Sequence, residues 1–211
     1  MIVAIDGPAG SGKGTISKKL AEYFNLSYLD TGILYRAVAL QMLTKGINEK
    51  DCRSAKEVAR QVSITSIDYS GIRTRAVSDL ASKIATISSV RQELLTRQRR
   101  FAQNPDPDKD GAILDGRDIG TVVCPNADFK LFIMAELEIR AKRRWKELLQ
   151  RDPTVIYCEV LEEMRSRDER DTNRKDAPLV VTSDAMVIDT SNKSIDVSFN
   201  EAKNWILSRR F

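Results

Sequence analysis

The sequence contains no histidine. That absence removes Ser-His-Asp chemistry, imidazole acid–base catalysis and His-ligated metals. Any reaction must run on carboxylates, lysine, arginine, hydroxyls and backbone amides. Cysteine is scarce too: Cys52, Cys124 and Cys158 are odd in number, far apart and form no CxxC pair. They supply no disulfide framework, which suits a reducing cytosol. The opening MIVAIDGPAG lacks a basic leader, and its apolar run of five residues is too short for a signal peptide or membrane span. It reads instead as a buried strand. Aromatic residues make up only 6% and do not interleave with the arginine clusters at 91–100, 140–151 and 165–174. A stacking platform for single-stranded nucleic acid needs that interleaving. The net charge of +4 is weak evidence for nucleic acid, because an enzyme gripping two polyphosphates needs the same cations.

What is present is a chain of 211 residues, a length that fits one α/β core carrying inserted subdomains. Five short apolar runs read as strands: Ile2–Asp6, Leu26–Asp30, Ala112–Asp115, Lys130–Ala135 and Ala185–Thr190. Helical patterns lie between them, at about 13–24, 32–45, 75–103, 136–151, 157–172 and 195–209. Alternating strands and helices predict βαβ units, right-handed crossovers and a parallel sheet buried on both faces. Two segments break the rhythm. Residues 46–75 form part of an insertion, with a small strand element expected near Val62–Tyr69, and a charged excursion covers about 145–175.

The strongest local signal is the run Gly7, Pro8, Ala9, Gly10, Ser11, Gly12, Lys13, Gly14, Thr15, which leaves one strand and opens a helix. A Walker A loop requires that context. Glycines let backbone N–H groups wrap around phosphate oxygens, the helix N-terminus adds positive potential, and Lys13 supplies a point charge. Gly14 stands where Ser or Thr usually follows the lysine, so the hydroxyl comes one residue later, at Thr15. The loop alone leaves the acceptor open: water, a sugar, shikimate, a nucleotide or a GTPase cycle.

The acceptor side is read from three places. Arg36 follows the turn at Gly32 and is a candidate clamp for an acceptor phosphate at the sheet's carboxyl edge. The third strand ends in Asp115, a Walker B position able to hold Mg²⁺ directly or through water, followed by Arg117 and Asp118. Arg117 can grip phosphate, and Asp118 can accept from an exocyclic amino group. Arg167, Arg170, Asp171 and Arg174 are spaced i, i+3, i+4, i+7, so they share one helical face. Three cations on one face call for an anion, and a transferring phosphoryl group would serve. Arg140 and Arg144, at i and i+4, add to that pool.

Six ordered blocks give the chain a resemblance to the bacterial-type cytidylate kinases, within the nucleoside monophosphate kinases. They are GPAGSGKGT at 7–15, YLDTGILYRA at 28–37, SVRQELLTRQRRF at 89–101, LDGRDIGTVVCPNAD at 114–128, RSRDERDTNRKDAPL at 165–179 and MVIDTS at 186–191. The resemblance implies an α/β fold, a P-loop NTPase-like five-stranded parallel sheet with helices on both faces. Its core would cover 1–38, 91–149 and 173–211, with a monophosphate-binding insert at 39–90 and a short lid at 150–172. It implies ATP as donor, Mg²⁺ as cofactor, CMP or dCMP as acceptor, and a cytoplasmic monomer with no nucleic-acid or membrane partner. Residues 7–15, with Arg140 and Arg144, would hold ATP, and Thr15 and Asp115 the metal. Lys13, Arg117, Arg167 and Arg174 would be catalytic. Thr31, Arg36, Ser82, Arg91, Arg117, Asp118, Arg167, Asp171 and Arg174 would bind the acceptor, with Ser82, Arg91 and Asp118 at the cytosine and Asp171 at the ribose. An adenylate- or shikimate-type kinase is the alternative, and the LDGRDIG block and the 165–174 run speak against it.

Overall fold

A computed structural model describes residues 1–63, 71–150 and 152–210. Five parallel strands, β1 (Ile2–Asp6), β2 (Ser27–Asp30), β3 (Ala112–Gly116), β4 (Phe129–Met134) and β5 (Met186–Asp189), form one sheet in the order β2-β3-β1-β4-β5. The helices among the described residues are α1 (Lys13–Tyr23), α2 (Thr31–Thr44), α3 (Cys52–Gln61), α4 (Arg75–Ile84), α5 (Ser88–Gln103), α6 (Leu137–Leu149), α7 (Tyr157–Asn173) and α8 (Ile195–Leu207).

Strand alternation divides the core between two faces. Val3, Ile5, Leu131 and Ile133 pack with Ile16 and Leu20 of α1 and Ala202 and Ile206 of α8. Ala4, Ala112 and Leu114 face the other way, against Ala102 of α5 and Ile119 and Val123. Helices therefore cover both faces, as the apolar strands require. Because β1 lies between β3 and β4, the chain leaves it toward opposite sides of the sheet. The crevice at a switch of that kind is where open α/β sheets bind ligands.

The second core belongs to the excursion between β2 and β3. Leu34, Val38 and Met42 of α2 join Val58 of α3, Leu80 and Ile84 of α4, and Val90 and Leu94 of α5. Helix α3 lies within the 46–75 insertion, where no helix is expected from sequence. Ala55, Val58, Ala59 and Val62 are buried at helical spacing, and the Asp51 side chain caps the helix by accepting from the Ser54 N–H at 3.0 Å. Those small apolar residues among six charged or polar neighbours in the helix hide the pattern. The expected strand element near Val62–Tyr69 falls largely on 64–70, outside the described residues.

The single helix expected over 75–103 is two. Helix α4 ends at Ile84 with Ala85 as its C-cap, Ile87 is extended, and α5 starts at Ser88. Thr86 donates from Oγ1 to the Lys83 carbonyl, and the β-branched Thr86–Ile87 pair followed by Ser88–Ser89 favours a stop and restart over continuation. A third small core joins Ala141 and Leu148 of α6 to Val160 and Met164 of α7, over Ala9 of the phosphate loop. Among the described residues no helix is long and apolar enough to cross a membrane.

Candidate active site

The loop between β1 and α1 has the backbone a phosphate cradle needs. A Cβ at Gly7 would lie 2.0 Å from the Ile133 carbonyl oxygen, so only glycine lets the loop leave the sheet there. Gly12, at φ 87°, is left-handed and opens α1, directing the first N–H groups of the helix toward the loop. The Lys13 ammonium donates to the Pro8 carbonyl across the loop at 3.3 Å. Ser11 is fully buried, its hydroxyl packed close to Gly7 without a hydrogen-bond partner, and it does not line the cavity.

Beside Lys13 the ends of β2 and β3 bring two carboxylates together. Asp115 accepts from the Tyr28 hydroxyl at 2.7 Å, and Asp30 pairs with Arg36 at 3.5 Å. Burial, then the neighbouring Asp30, push the Asp115 carboxyl upward. Burial, then the Arg117 guanidinium, push the Lys13 ammonium down to about 7. A site that disfavours both charges at rest is waiting for ligand charge to restore them. The Thr31 hydroxyl donates to the Asp115 carbonyl at 2.8 Å, so it braces β2 against β3 at the cavity wall.

From Lys13 a cavity of about 320 Å³ runs to the helical excursion. Arg36, Arg117 and Arg167 line its middle. Arg117 donates to Asp171 at 2.8 Å, and Arg167 lies 3.9 Å from the same carboxylate. Burial and Arg117 push Arg167 downward. Guanidinium does not deprotonate in proteins, so that penalty is relieved by binding an anion. The far end holds Asp118, whose carboxylate accepts from Arg91 and, at 3.4 Å, from Arg174. Arg174 also donates to the Ala177 carbonyl at 2.6 Å. Ser82 lines this end, 3% exposed, with a buried hydroxyl that has no partner in the protein. A buried orphan hydroxyl facing a cavity invites a ligand polar group.

Asp6, the last residue of β1, fixes how Arg117 and Asp118 leave the sheet. Its carboxylate accepts from the Ile119 and Gly120 N–H groups, both at 2.8 Å. These open a π-helical turn, Ile119–Val123, that the sequence did not announce. Burial holds the Asp6 carboxyl up at about 6 despite those two donors.

The structure does not bring every sequence-predicted residue to the cavity. Arg140 is 5% exposed, and its guanidinium is engaged by the Ala135 carbonyl at 2.7 Å, the Ala9 carbonyl at 3.2 Å and Asp168 at 2.7 Å. It ties α6 to the phosphate loop from behind. Arg144 does line the cavity, and so does Arg143, which sequence reasoning passed over. Arg143 donates to the Thr190 carbonyl at 2.7 Å, joining the loop after β5 to the donor side. Tyr28, Asp30, Tyr35 and Arg73 were also missed. Tyr28, Asp30 and Tyr35 flank the turn that was read, and the i, i+2 alternation of Tyr28 and Asp30 on a strand could have flagged them as sharing a face. Arg174 falls with Asp118 and Arg91, whereas Arg117 and Arg167 are the arginines whose charge reaches Lys13.

The residues fit a magnesium ion held mainly by its ligand. Asp115, Asp30 and the Thr15 hydroxyl are hard oxygen donors beside the loop. Among the described residues no cluster of three or more His, Cys, Asp or Glu forms a protein cage. Mg²⁺ bound through one or two carboxylates, phosphates and water needs none.

Two solved structures share the fold across nearly the full length: an uncharacterized protein from Eubacterium ventriosum, 16% identical with a TM-score of 0.54, covering 99% of both chains, and a Thermus thermophilus protein, 19% identical with a TM-score of 0.53, covering 99% of this chain and 96% of that one. Relatives found by sequence are more similar. A cytidylate kinase from Azorhizobium caulinodans is 50% identical over 202 residues, 96% of each chain. One from Paramagnetospirillum magneticum is 49% identical over 209 residues, 99% of each. The cytidylate kinase family model matches residues 3–206, and with its loop, arginines and sheet in the arrangement described, this chain belongs to the cytidylate kinase family.

Proposed function

We propose that the chain transfers the γ-phosphate of ATP to CMP, and to dCMP, releasing ADP and CDP or dCDP. One observation carries the reading: a single cavity runs from Lys13, past Arg36, Arg117 and Arg167, to Asp118, Arg91 and the unpartnered Ser82 hydroxyl. Its length order is donor phosphates, acceptor phosphate, acceptor base.

The acceptor is a phosphate oxygen, already ionised at pH 7, so no general base is required and the lack of histidine is no handicap. Positioning and charge neutralisation do the chemistry. Residues 7–15 cradle the ATP phosphates, and Lys13, with Arg144 at the cavity edge, holds them. Asp115, with Thr15, would hold Mg²⁺, which when bound neutralises charge on the phosphates. Arg36 and Arg117 orient the acceptor phosphate, and Arg167 faces the group in transit. Asp171 fixes Arg117 and Arg167, leaving it placed for the ribose. Asp118, Arg91 and Ser82 read the base. Closing the 39–90 insert and the 150–172 lid over the cavity excludes water, which would otherwise take the phosphoryl group.

A coupled assay with ATP and Mg²⁺ against CMP, dCMP, UMP, AMP and shikimate tests the reading. CMP and dCMP are expected to turn over fastest. Folded protein that leaves CMP untouched overturns it, and a DNA gel shift excludes or reveals a nucleic-acid activity.

Two further outcomes follow from the geometry. Because the resting site depresses Lys13 to about 7, the lysine is largely neutral at pH 8, and triphosphate binding restores its charge. ATP binding at pH 8 should therefore take up a proton, read by calorimetry in buffers of different ionisation enthalpy, and the uptake should vanish in Lys13→Met. Arg174, held by Asp118 and Ala177, belongs to the base end. Arg174→Ala is accordingly expected to raise KM for CMP by about tenfold, the loss of one charged hydrogen bond, with a smaller change in kcat. A kcat loss at unchanged KM would return Arg174 to the transferring group.

A further inference from the structure

The 320 Å³ cavity meets a second cavity, of about 620 Å³, lined by the phosphate loop, the start of α1 and the end of β2. Five residues line both: Gly10, Lys13, Gly14, Asp30 and Arg73. Three belong to the loop, and Asp30 is paired with Arg36 at 3.5 Å. Arg73 comes from elsewhere, the turn that leads into α4. It is exposed, and among the described residues it has no ion pair and no hydrogen bond of its side chain.

The next two residues show why this turn is held where it is. The Thr74 hydroxyl caps α4, accepting from the Val77 N–H at 3.3 Å. Arg75 crosses to α7, donating to Glu163 at 2.6 Å and to Glu159 at 2.9 Å. Arg170 of α7 reaches back to Asp79 of α4 at 3.1 Å. These pairs bind the α4 end of the helical excursion to α7. The same turn thus sends Arg75 to carboxylates on α7 and Arg73 to the lining common to both cavities, their seam; Arg36, Arg117 and Arg167 line the 320 Å³ cavity with it. An exposed cation without a carboxylate of its own adds to the positive field of that cavity and favours the entry of an anion.

We propose that Arg73 is a phosphate-binding residue of the acceptor site, brought to the seam when α4 and α7 are joined, where it contacts the acceptor phosphate beside the arriving γ-phosphoryl group. The proposal rests on the reading of the chain as an ATP:CMP phosphotransferase. It makes approach of the excursion to α7 a condition for complete charge neutralisation, so closure and chemistry are linked by three consecutive residues.

The test is equilibrium titration of CMP and of cytidine, which lacks the phosphate, onto the full chain with Mg²⁺ and a non-hydrolysable ATP analogue, alongside steady-state kinetics. Arg73→Ala should weaken CMP binding about tenfold or more, as expected for one charge-assisted contact, and leave cytidine binding within twofold. Arg73→Lys should recover part of the CMP affinity, because the point charge remains while the forked geometry is lost. The exposed position predicts an unchanged melting temperature in both variants. CMP affinity and kcat/KM in Arg73→Ala equal to wild type, or an equal loss for CMP and cytidine, overturns the proposal while leaving the kinase reading intact. Wild-type protein that neither binds nor phosphorylates CMP removes that reading, and the role of Arg73 with it.

Discussion

Lys13→Met is expected to lower kcat by on the order of 10³, with the apo protein as stable as wild type or more so. The rate loss follows from removing a preorganised cation from a partly dried site, where one donor aimed at developing charge is worth about 10²–10³ and a full charge more. The stability gain follows from linkage. The folded-state pKa of Lys13 is depressed, with all its neighbours counted, including the favourable Asp115 and Asp30. The folded protein therefore disfavours the charged ammonium, and the unfolded chain binds the extra proton between about 7 and the ordinary lysine value of 10.5. Wild-type stability should rise with pH across that window, and the advantage of Lys13→Met should be largest below pH 7 and fade above it. Melting temperatures measured from pH 6 to 10, without nucleotide, read this independently of activity. A variant less stable than wild type throughout would mean that Lys13 is a structural partner of Asp115, with the carboxylate left uncompensated. The half-buried position of the side chain moderates the size of the effect but leaves its sign. Tolerating such a residue at the sheet edge is the usual trade of stability for function.

Some parts of this architecture are legible in one dimension because a local rule fixes them. The phosphate loop is one: residue by residue, Gly7 must avoid the Ile133 carbonyl and Gly12 must be left-handed, and both constraints are written as glycine. The strands are another, since burial on both faces demands short apolar runs. The arginine run from Arg167 to Arg174 is legible as a helical face, although the structure divides it by partner. Arg167 stays in the cavity, Arg170 turns out to Asp79 and Arg174 goes to Asp118. Periodicity gives the face but not the counter-charge each residue meets. The rest depends on contacts distant in the chain. Arg140 and Arg143 sit in one basic run, and only the positions of Ala9, Asp168 and Thr190 decide which is tied down behind the loop and which reaches the cavity. Asp6 reads as a strand end, and its grip on Ile119 and Gly120 spans more than a hundred residues. Arg73 is invisible for the same reason, having no local partner to give it away.

At the opposite end of the cavity, Asp118→Asn is expected to reduce the preference for CMP over UMP, measured as the ratio of kcat/KM values, by on the order of 10² or more. Cytosine presents an amino donor where uracil presents a carbonyl acceptor. A carboxylate has only acceptors to offer, so it matches the first and repels the second, while an asparagine amide can turn its NH₂ to meet uracil. The choice of asparagine over alanine is dictated by the surroundings. Arg91, itself buried and donating to the Ala85 carbonyl at 3.2 Å, and Arg174 both close on the Asp118 carboxylate. Alanine would strand two guanidinium groups away from water, at a cost of about 3–5 kcal/mol that could unfold the site and mask any change in selectivity. Asparagine keeps the volume and one acceptor oxygen for an arginine. The loss should fall on CMP as raised KM and lowered kcat together, because a base held out of register misaligns its phosphate as well. UMP turnover should hold or rise, and KM for ATP should stay within about twofold, since the donor loop lies at the far end of the cavity. An Asp118→Asn enzyme that still prefers CMP as strongly as wild type would mean that Asp118 serves only to pin Arg91 and Arg174, and that the cytosine amino group is read by Ser82 or by the backbone.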